Sequence, residues 1–359
     1  MEASACPVDL TGYSQRGLSE ETVEAPAPEQ ISDKLSQTHI LGLTFGSEAV
    51  LGRCWSSQEL SARPGEEIIR KFASASESHP ARLAPTHNPP HFPLGPELRN
   101  SIRSVRPGNE LKPVALTFDL CETANEQAGY DGSVVDYLRN NKVKATFYAG
   151  GKWMRSHPER AMQLMADPLF EIGNHAWTHG NLRVLSGEKM LNQILWTQAQ
   201  YELLWEGLKV RYVARGGDPA EMEKIPRVPL TFRFPFGTCS PEALRALAHY
   251  GLPAIQWDVV TGDPAKAQTA ETIFKLVVSK TRPGSIIICH ANGRGHHTAK
   301  ALPEFVHDLR ARGYEFVTIS ELISFGRPVA TEECYELLPG DNLRYDRIFG
   351  TGTGEAKKK

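Results

Sequence analysis

Lys112-Pro-Val-Ala-Leu-Thr-Phe-Asp-Leu-Cys121 opens the part of the chain whose reading decides the fold. Within it, Val114–Asp119 is apolar without alternation and ends on a carboxylate, the pattern of a strand covered on both faces. Working outward, the same pattern returns at Ala145–Gly151, Phe170–His175, Thr231–Gly237, Ala254–Val260, Ser285–His290 and Glu315–Ile319. Between these runs the apolar period lengthens to that of a helix, at Gly132–Asn141, Pro158–Ala166, Gly187–Trp205, Pro241–Tyr250, Ala270–Lys280 and Ala299–Arg312. Strands that alternate with helices pair in parallel through right-handed crossovers. Seven of them in about 210 residues predict an α/β fold, an irregular seven-stranded (β/α) barrel rather than a small open sheet.

The flanks read differently. Residues 1–110 form an N-terminal extension rich in Pro, Ser, Glu and Ala, and the six prolines of 79–99 exclude a long helix there. Ile40–Trp55 carries strand-like apolar spacing. The barrel is expected over 111–326, with a loop insertion at 207–230, followed by a C-terminal tail at 327–359. Across 359 residues, 40 Lys and Arg stand against 42 Asp and Glu, so the net charge of −2 gives no ground for bulk binding to nucleic acid. No apolar run reaches the ~18 residues of a membrane span. The start, Met1-Glu-Ala-Ser-Ala-Cys-Pro, has neither a basic segment nor an apolar core, so no secretory leader is visible and the compartment stays open. Nothing in the sequence sets an oligomeric state.

Polar residues collect at the C-terminal ends of the expected strands: Asp119, His175, Arg233, Asp263 and His290. In β/α barrels that rim holds the chemistry, because the loops converge there on one mouth. The most specific signal is Asn174-His-Ala-Trp-Thr-His179. Two histidines four apart on a helical turn would share a face and could chelate one divalent metal ion.

Taken in order, Thr117-Phe-Asp119, Asn174-His-Ala-Trp-Thr-His179, Arg233-Phe-Pro-Phe-Gly237, Thr261-Gly-Asp263 and Ile286-Ile-Ile-Cys-His290 closely resemble the five motifs of the polysaccharide deacetylase (NodB-homology) family of carbohydrate esterases. The resemblance covers roughly residues 112–325 and includes the closing Gly313-Tyr-Glu-Phe-Val-Thr-Ile-Ser-Glu-Leu322. It implies an irregular barrel of the NodB-homology type that hydrolyses N-acetyl groups on an amino-sugar polymer or oligomer. By the same resemblance, His175 and His179 would hold a divalent metal ion, with zinc the first expectation. Asp119 would be the general base and His290 the general acid. Arg233 would orient the base, Asp263 would hold the acid protonated, and the backbone N–H of Phe236 would serve the oxyanion. The family's export habit would place its glycan partner outside the cell.

Three positions depart from the family pattern. Leu120 stands where a metal-binding aspartate is usual, and Glu122, on the following loop, is the candidate replacement. Pro264 replaces a groove tryptophan, and Ala291 replaces a polar residue after the acid histidine. Leu120 and Pro264 keep a second reading open, a C–N hydrolase acting on a small amide or ureide without a metal. A catalytically degenerate glycan-binding barrel is the third. Cys121 and Cys239 each follow a motif by two residues, and a bridge between them would stiffen the mouth. The rarity of disulfides in chains without an export leader favours free thiols instead.

Overall fold

The computed structural model describes residues 45–74, 79–90, 94–108, 110–350 and 352. Ten strands occur among them: β1 Arg70–Lys71, β2 Ser101–Pro107, β3 Pro113–Leu120, β4 Glu126–Gln127, β5 Ala145–Ala149, β6 Phe170–Asn174, β7 Val259–Val260, β8 Ile286–His290, β9 Glu315–Val317 and β10 Gly326–Thr331. The helices are α1 Glu48–Cys54, α2 Ser57–Leu60, α3 Gly132–Asn140, α4 Gly151–Ser156, α5 Pro158–Ala166, α6 Gly187–Ala214, α7 Pro241–His249, α8 Ala270–Lys280, α9 Thr298–Ala311, α10 Ile319–Ser324 and α11 Arg344–Ile348.

The central sheet is parallel, in the order β6-β5-β3-β8-β7, with β9 also paired to β3. Single bridges from Asn174 to Phe232 and from Phe232 to Ala254 carry the ring on from β6 toward β7. The expected strands Thr231–Gly237 and Ala254–Val260 therefore shrink to isolated bridges and two residues of ladder. Pro229, Pro235 and Pro253 lack the N–H that a longer ladder requires. The architecture is an irregular (β/α) barrel.

Alternation along β3 sorts its side chains between two cores. Leu116, Phe118 and Leu120 join Phe147, Trp153 and Phe305 in the apolar layer under the helices. Ala115 faces the other way, with Tyr148, Ile255, Ile286 and Ile288. Thr117 and Asp119 share that inner face, so Asp119 stands at the top of the barrel's interior. Every residue of β3 is buried, which explains the unbroken apolar run in the sequence.

Outside the barrel, three expectations change, and the flanks take a defined place. The part of Ile40–Trp55 that is described is a helix, not a strand. Val50, Leu51 and Cys54 are its buried side, and the Ser47 side chain caps its N-terminus; residues 40–44 lie outside the described residues. Within the extension, β2 pairs antiparallel with β10 of the tail, and Ile102 bridges to Ile255, so both flanks pack onto the barrel. The insertion at 207–230 begins as helix rather than loop. α6 runs on to Ala214 because Leu208 and Tyr212 continue its buried stripe, and Gly216, at φ 75°, follows its end. The neighbouring Pro219–Lys224 is a 3₁₀ turn. Finally, Cys239 is not the free thiol expected but bonds to Cys334, while Cys121 is free and buried.

Candidate active site

Asn174 builds the histidine loop. Its Oδ1 accepts from the Ala176 N–H at 2.9 Å, while its Nδ2 donates to Ile194 O and Gln198 Oε1 on α6. Gln193 of α6 accepts from the N–H groups of Thr178 and Gly180. Residues 175–179 are not helical, contrary to the sequence expectation. Instead, Ala176 and His179 take positive φ (63° and 57°) and curl the loop back on itself. The two imidazoles meet all the same, with ring centroids 5.0 Å apart.

His175 is buried, and its Nδ1–H donates to the Arg233 carbonyl at 2.9 Å, which fixes the tautomer and leaves Nε2 with a lone pair. That Nε2 has no hydrogen-bond partner, and it lies 3.5 Å from Asp119 Oδ2. Burial lowers the His175 pKa despite the neighbouring Asp119 carboxylate, and burial followed by the His175 ring pushes His179 well below the ordinary value. A neutral imidazole with an unpartnered nitrogen, as at His175, is what a divalent cation requires, and the His179 ring lies beside it. These two residues fit such an ion. Among the described residues no three His, Cys, Asp or Glu side chains form a ready-made cage for one.

Asp119 accepts from Arg233 Nη1 at 2.9 Å, and the same nitrogen donates to Thr117 Oγ1 at 2.8 Å. Arg233 is fully buried, lies 4.0 Å over the Tyr148 ring and donates Nη2 to Gln256 O. Burial opposes ionisation of Asp119, yet His175, Arg233 and His290 outweigh it and hold the carboxyl below the usual value. On the other side, His290 Nδ1–H donates to Asp263 Oδ1 at 2.9 Å. Asp263 Oδ2 accepts from the His290 N–H and from Thr298 Oγ1, both at 2.7 Å. Burial would lower the His290 pKa, but the charge and hydrogen bond of Asp263, helped by Asp119, raise it. A depressed carboxyl and a raised imidazole face one cleft, the combination an acid–base pair uses.

That cleft has a volume of about 790 Å³, and Asp119, His179, Phe236, Trp257, Asp263 and His290 are among its lining residues. Phe236 sits at φ 59° in the Pro235–Gly237 turn, its ring 4.3 Å from that of His179. Glu122 is not brought to the histidines. Its carboxylate is occupied by Lys152 Nζ at 2.9 Å, Ser156 Oγ at 2.7 Å and the Ala128 N–H at 2.9 Å, beneath the β4 loop. Leu120 points away as well, into the helix-side core. Sequence reasoning missed Trp257, Lys71, Glu126 and the tail residues of the rim. Lys71 pairs with Glu126 across β1 and β4, a two-residue antiparallel ladder too short to leave a periodic signal.

Residues 107–217 match the family model described as polysaccharide deacetylase. Over that segment the chain is similar to the polysaccharide deacetylase family. It is similar to the peptidoglycan-N-acetylglucosamine deacetylase PgdA of Listeria monocytogenes, 30% identical over 59% of this chain and 39% of that one. A peptidoglycan-N-acetylglucosamine deacetylase of Bacillus cereus is 29% identical over 61% of this chain and 91% of its own. The chain thus spans about two fifths of the length of the Listeria relative. Among solved structures, a peptidoglycan N-acetylglucosamine deacetylase in complex with a hydroxamate shares the fold, with a TM-score of 0.52, 24% identity and coverage of 63% of this chain and 93% of that one. A pseudoenzyme of the same esterase family from Bacillus anthracis shares it too, with a TM-score of 0.50, 23% identity and coverage of 63% of this chain and 70% of that one. No helix among the described residues is long and apolar enough to cross a membrane.

Proposed function

We propose that the chain is a metal-dependent hydrolase that removes N-acetyl groups from an amino-sugar polymer or oligomer. One observation carries the reading: Asp119 and His290 line a single cleft, each held at 2.9 Å by its own tuning partner, Arg233 or Asp263. His175 and His179 would hold the ion, which when bound polarises the amide carbonyl and acidifies water. Asp119 accepts the proton of the attacking water as its oxygen bonds to the acetamide carbon. Arg233 keeps that carboxylate ionised and aimed. The backbone N–H of Phe236 offers a donor for the oxyanion. As the C–N bond breaks, the His290 imidazolium gives its proton to the departing amine, so the products are acetate and a free amino sugar.

Leu120 in the helix-side core favours a second reading, a C–N hydrolase on a small amide or ureide that works without a metal. Acetate release from chitooligosaccharides, with and without chelator, separates the readings. Release that stops on chelation and returns with zinc supports the first. Hydrolysis of small amides that survives chelation supports the second. Hydrolysis of neither substrate class, with any divalent metal or none, leaves the fold as a binding barrel.

A further inference from the structure

The C-terminal segment does not trail from the barrel; it is clamped across the mouth. After β10 it is bonded at Cys334 to Cys239, two residues beyond the Phe236 turn. Arg103 of β2 donates to Tyr335 O at 2.7 Å and to Glu336 O at 2.8 Å, and Trp257 Nε1 also donates to Glu336 O. Asn342 Nδ2 donates to Gly237 O. Asp346 accepts two bonds from Arg183 Nε, at 2.8 and 3.0 Å, and one from Asn181 Nδ2 at 2.9 Å. These clamps set α11 so that Tyr345 and Phe349, one turn apart, stand beside Phe236. Phe349 stacks on Phe236 at 4.2 Å with 17° between planes, and Tyr345 lies 5.4 Å away. The Tyr345 hydroxyl donates to Glu336 Oε1 at 2.7 Å, which fixes the ring. Tyr345, Phe349, Glu336 and Arg344 all line the cleft that holds Asp119 and His290.

We propose that Tyr345 and Phe349 form a carbohydrate-stacking platform that determines specificity, so that the cleft selects an oligomer of N-acetylated amino sugars over a single sugar. The inference rests on the reading of the cleft as a glycan site. It follows from the chemistry of the two surfaces. A pyranose ring has an apolar C–H face and a hydroxyl-bearing edge. A half-buried aromatic pair fits the first, and Glu336 with Arg344 at the same wall fits the second. The ring that reacts must lie at Asp119 and His290, so a wall beside Phe236 takes a neighbouring ring of the same chain. The fixed platform keeps the ordering cost low, because its rings are clamped before any ligand arrives.

The test is calorimetric binding of chitotetraose and of N-acetylglucosamine to the full chain, with acetate release measured in parallel. Tyr345→Ala and Phe349→Ala are each expected to weaken tetramer binding about 2- to 10-fold, the worth of one aromatic contact, and to leave the monosaccharide less affected. Tyr345→Phe, which keeps the ring and loses only its bond to Glu336, should bind the tetramer more tightly than Tyr345→Ala. Tyr345→Leu keeps apolar volume without a π face and serves if the alanine variants do not fold; it should lose as they do. Tetramer binding within twofold of wild type in the Ala or Leu variants overturns the platform, as does an equal loss for monomer and tetramer. Tetramer binding that depends on the two rings in a protein that releases no acetate would support the platform while ending the hydrolytic reading. A wild-type chain that does not bind the tetramer overturns the platform outright.

Discussion

Asp263→Asn tests how the acid is made. The substitution keeps the side chain's shape and its acceptor oxygen 2.9 Å from His290 Nδ1, but removes the charge. A hydrogen bond to a charged group is worth about 1.5–3 kcal/mol, so its loss disfavours the imidazolium roughly 10- to 150-fold relative to wild type. Asp263 is the largest of the influences that raise the His290 pKa, and the burial that opposes them remains. In the variant burial wins, and the imidazolium is lost at a lower pH. In the proposed mechanism the protonated ring gives the proton to the amine, so the alkaline limb of kcat/KM should move to lower pH and the rate at neutral pH should fall. Stability carries the same sign. A pKa raised by folding contributes fully below about 6.5, the unfolded value, and is lost as pH rises through the folded one. The stability that this ring contributes through Asp263 should therefore be missing on the acid side. The assay is a pH–rate profile of acetate release, paired with a proton-NMR titration of the His290 ring. An alkaline limb and a ring titration that both coincide with wild type would refute the argument.

Three further outcomes follow from the same geometry. Asp119→Asn should lower turnover by about 10²–10⁴-fold, the usual worth of a positioned base, while the protein still takes up a divalent ion; near wild-type turnover would remove Asp119 from the role. Glu122→Ala leaves the buried Lys152 ammonium without its carboxylate and should cost about 3–5 kcal/mol in urea unfolding with ion uptake preserved; intact stability with lost uptake would reverse the assignment. Replacing both Cys239 and Cys334 with serine opens a loop of 95 residues and should lower stability by roughly 2–5 kcal/mol, read as an earlier thermal transition; an unchanged transition temperature would show that the bridge stabilises nothing.

The barrel was legible because its strands are buried on both faces, which leaves unbroken apolar runs such as Val114–Phe118 separated by helical periods. Motif positions at the strand ends were legible for the same reason: once a strand is placed, its last inward residue is at the mouth. What the chain hid was non-local. β2 and β10 are more than 200 residues apart, and neither alternates cleanly, since β10 is only half buried. The Cys239–Cys334 bond joins residues 95 apart in the chain, so the sequence favoured free thiols and offered only Cys121 as a partner for Cys239. Glu122 illustrates a local ambiguity. A carboxylate three residues past a strand could reach the histidines or a buried lysine, and only the placement of Lys152 on α4 decides. The histidine spacing suggested a helical turn, while the actual loop reaches the same proximity through two residues of positive φ.

In the proposed mechanism His175 and His179 grip one divalent ion between the Asp119 and His290 arms of the cleft. Elemental analysis of the purified chain after dialysis against zinc tests it most directly, beside His175→Ala and His179→Ala variants treated in the same way. About one ion per wild-type chain is expected, and loss of at least 10- to 100-fold in affinity when either imidazole is removed. Equal metal content in all three proteins, or none in the wild type, would contradict it.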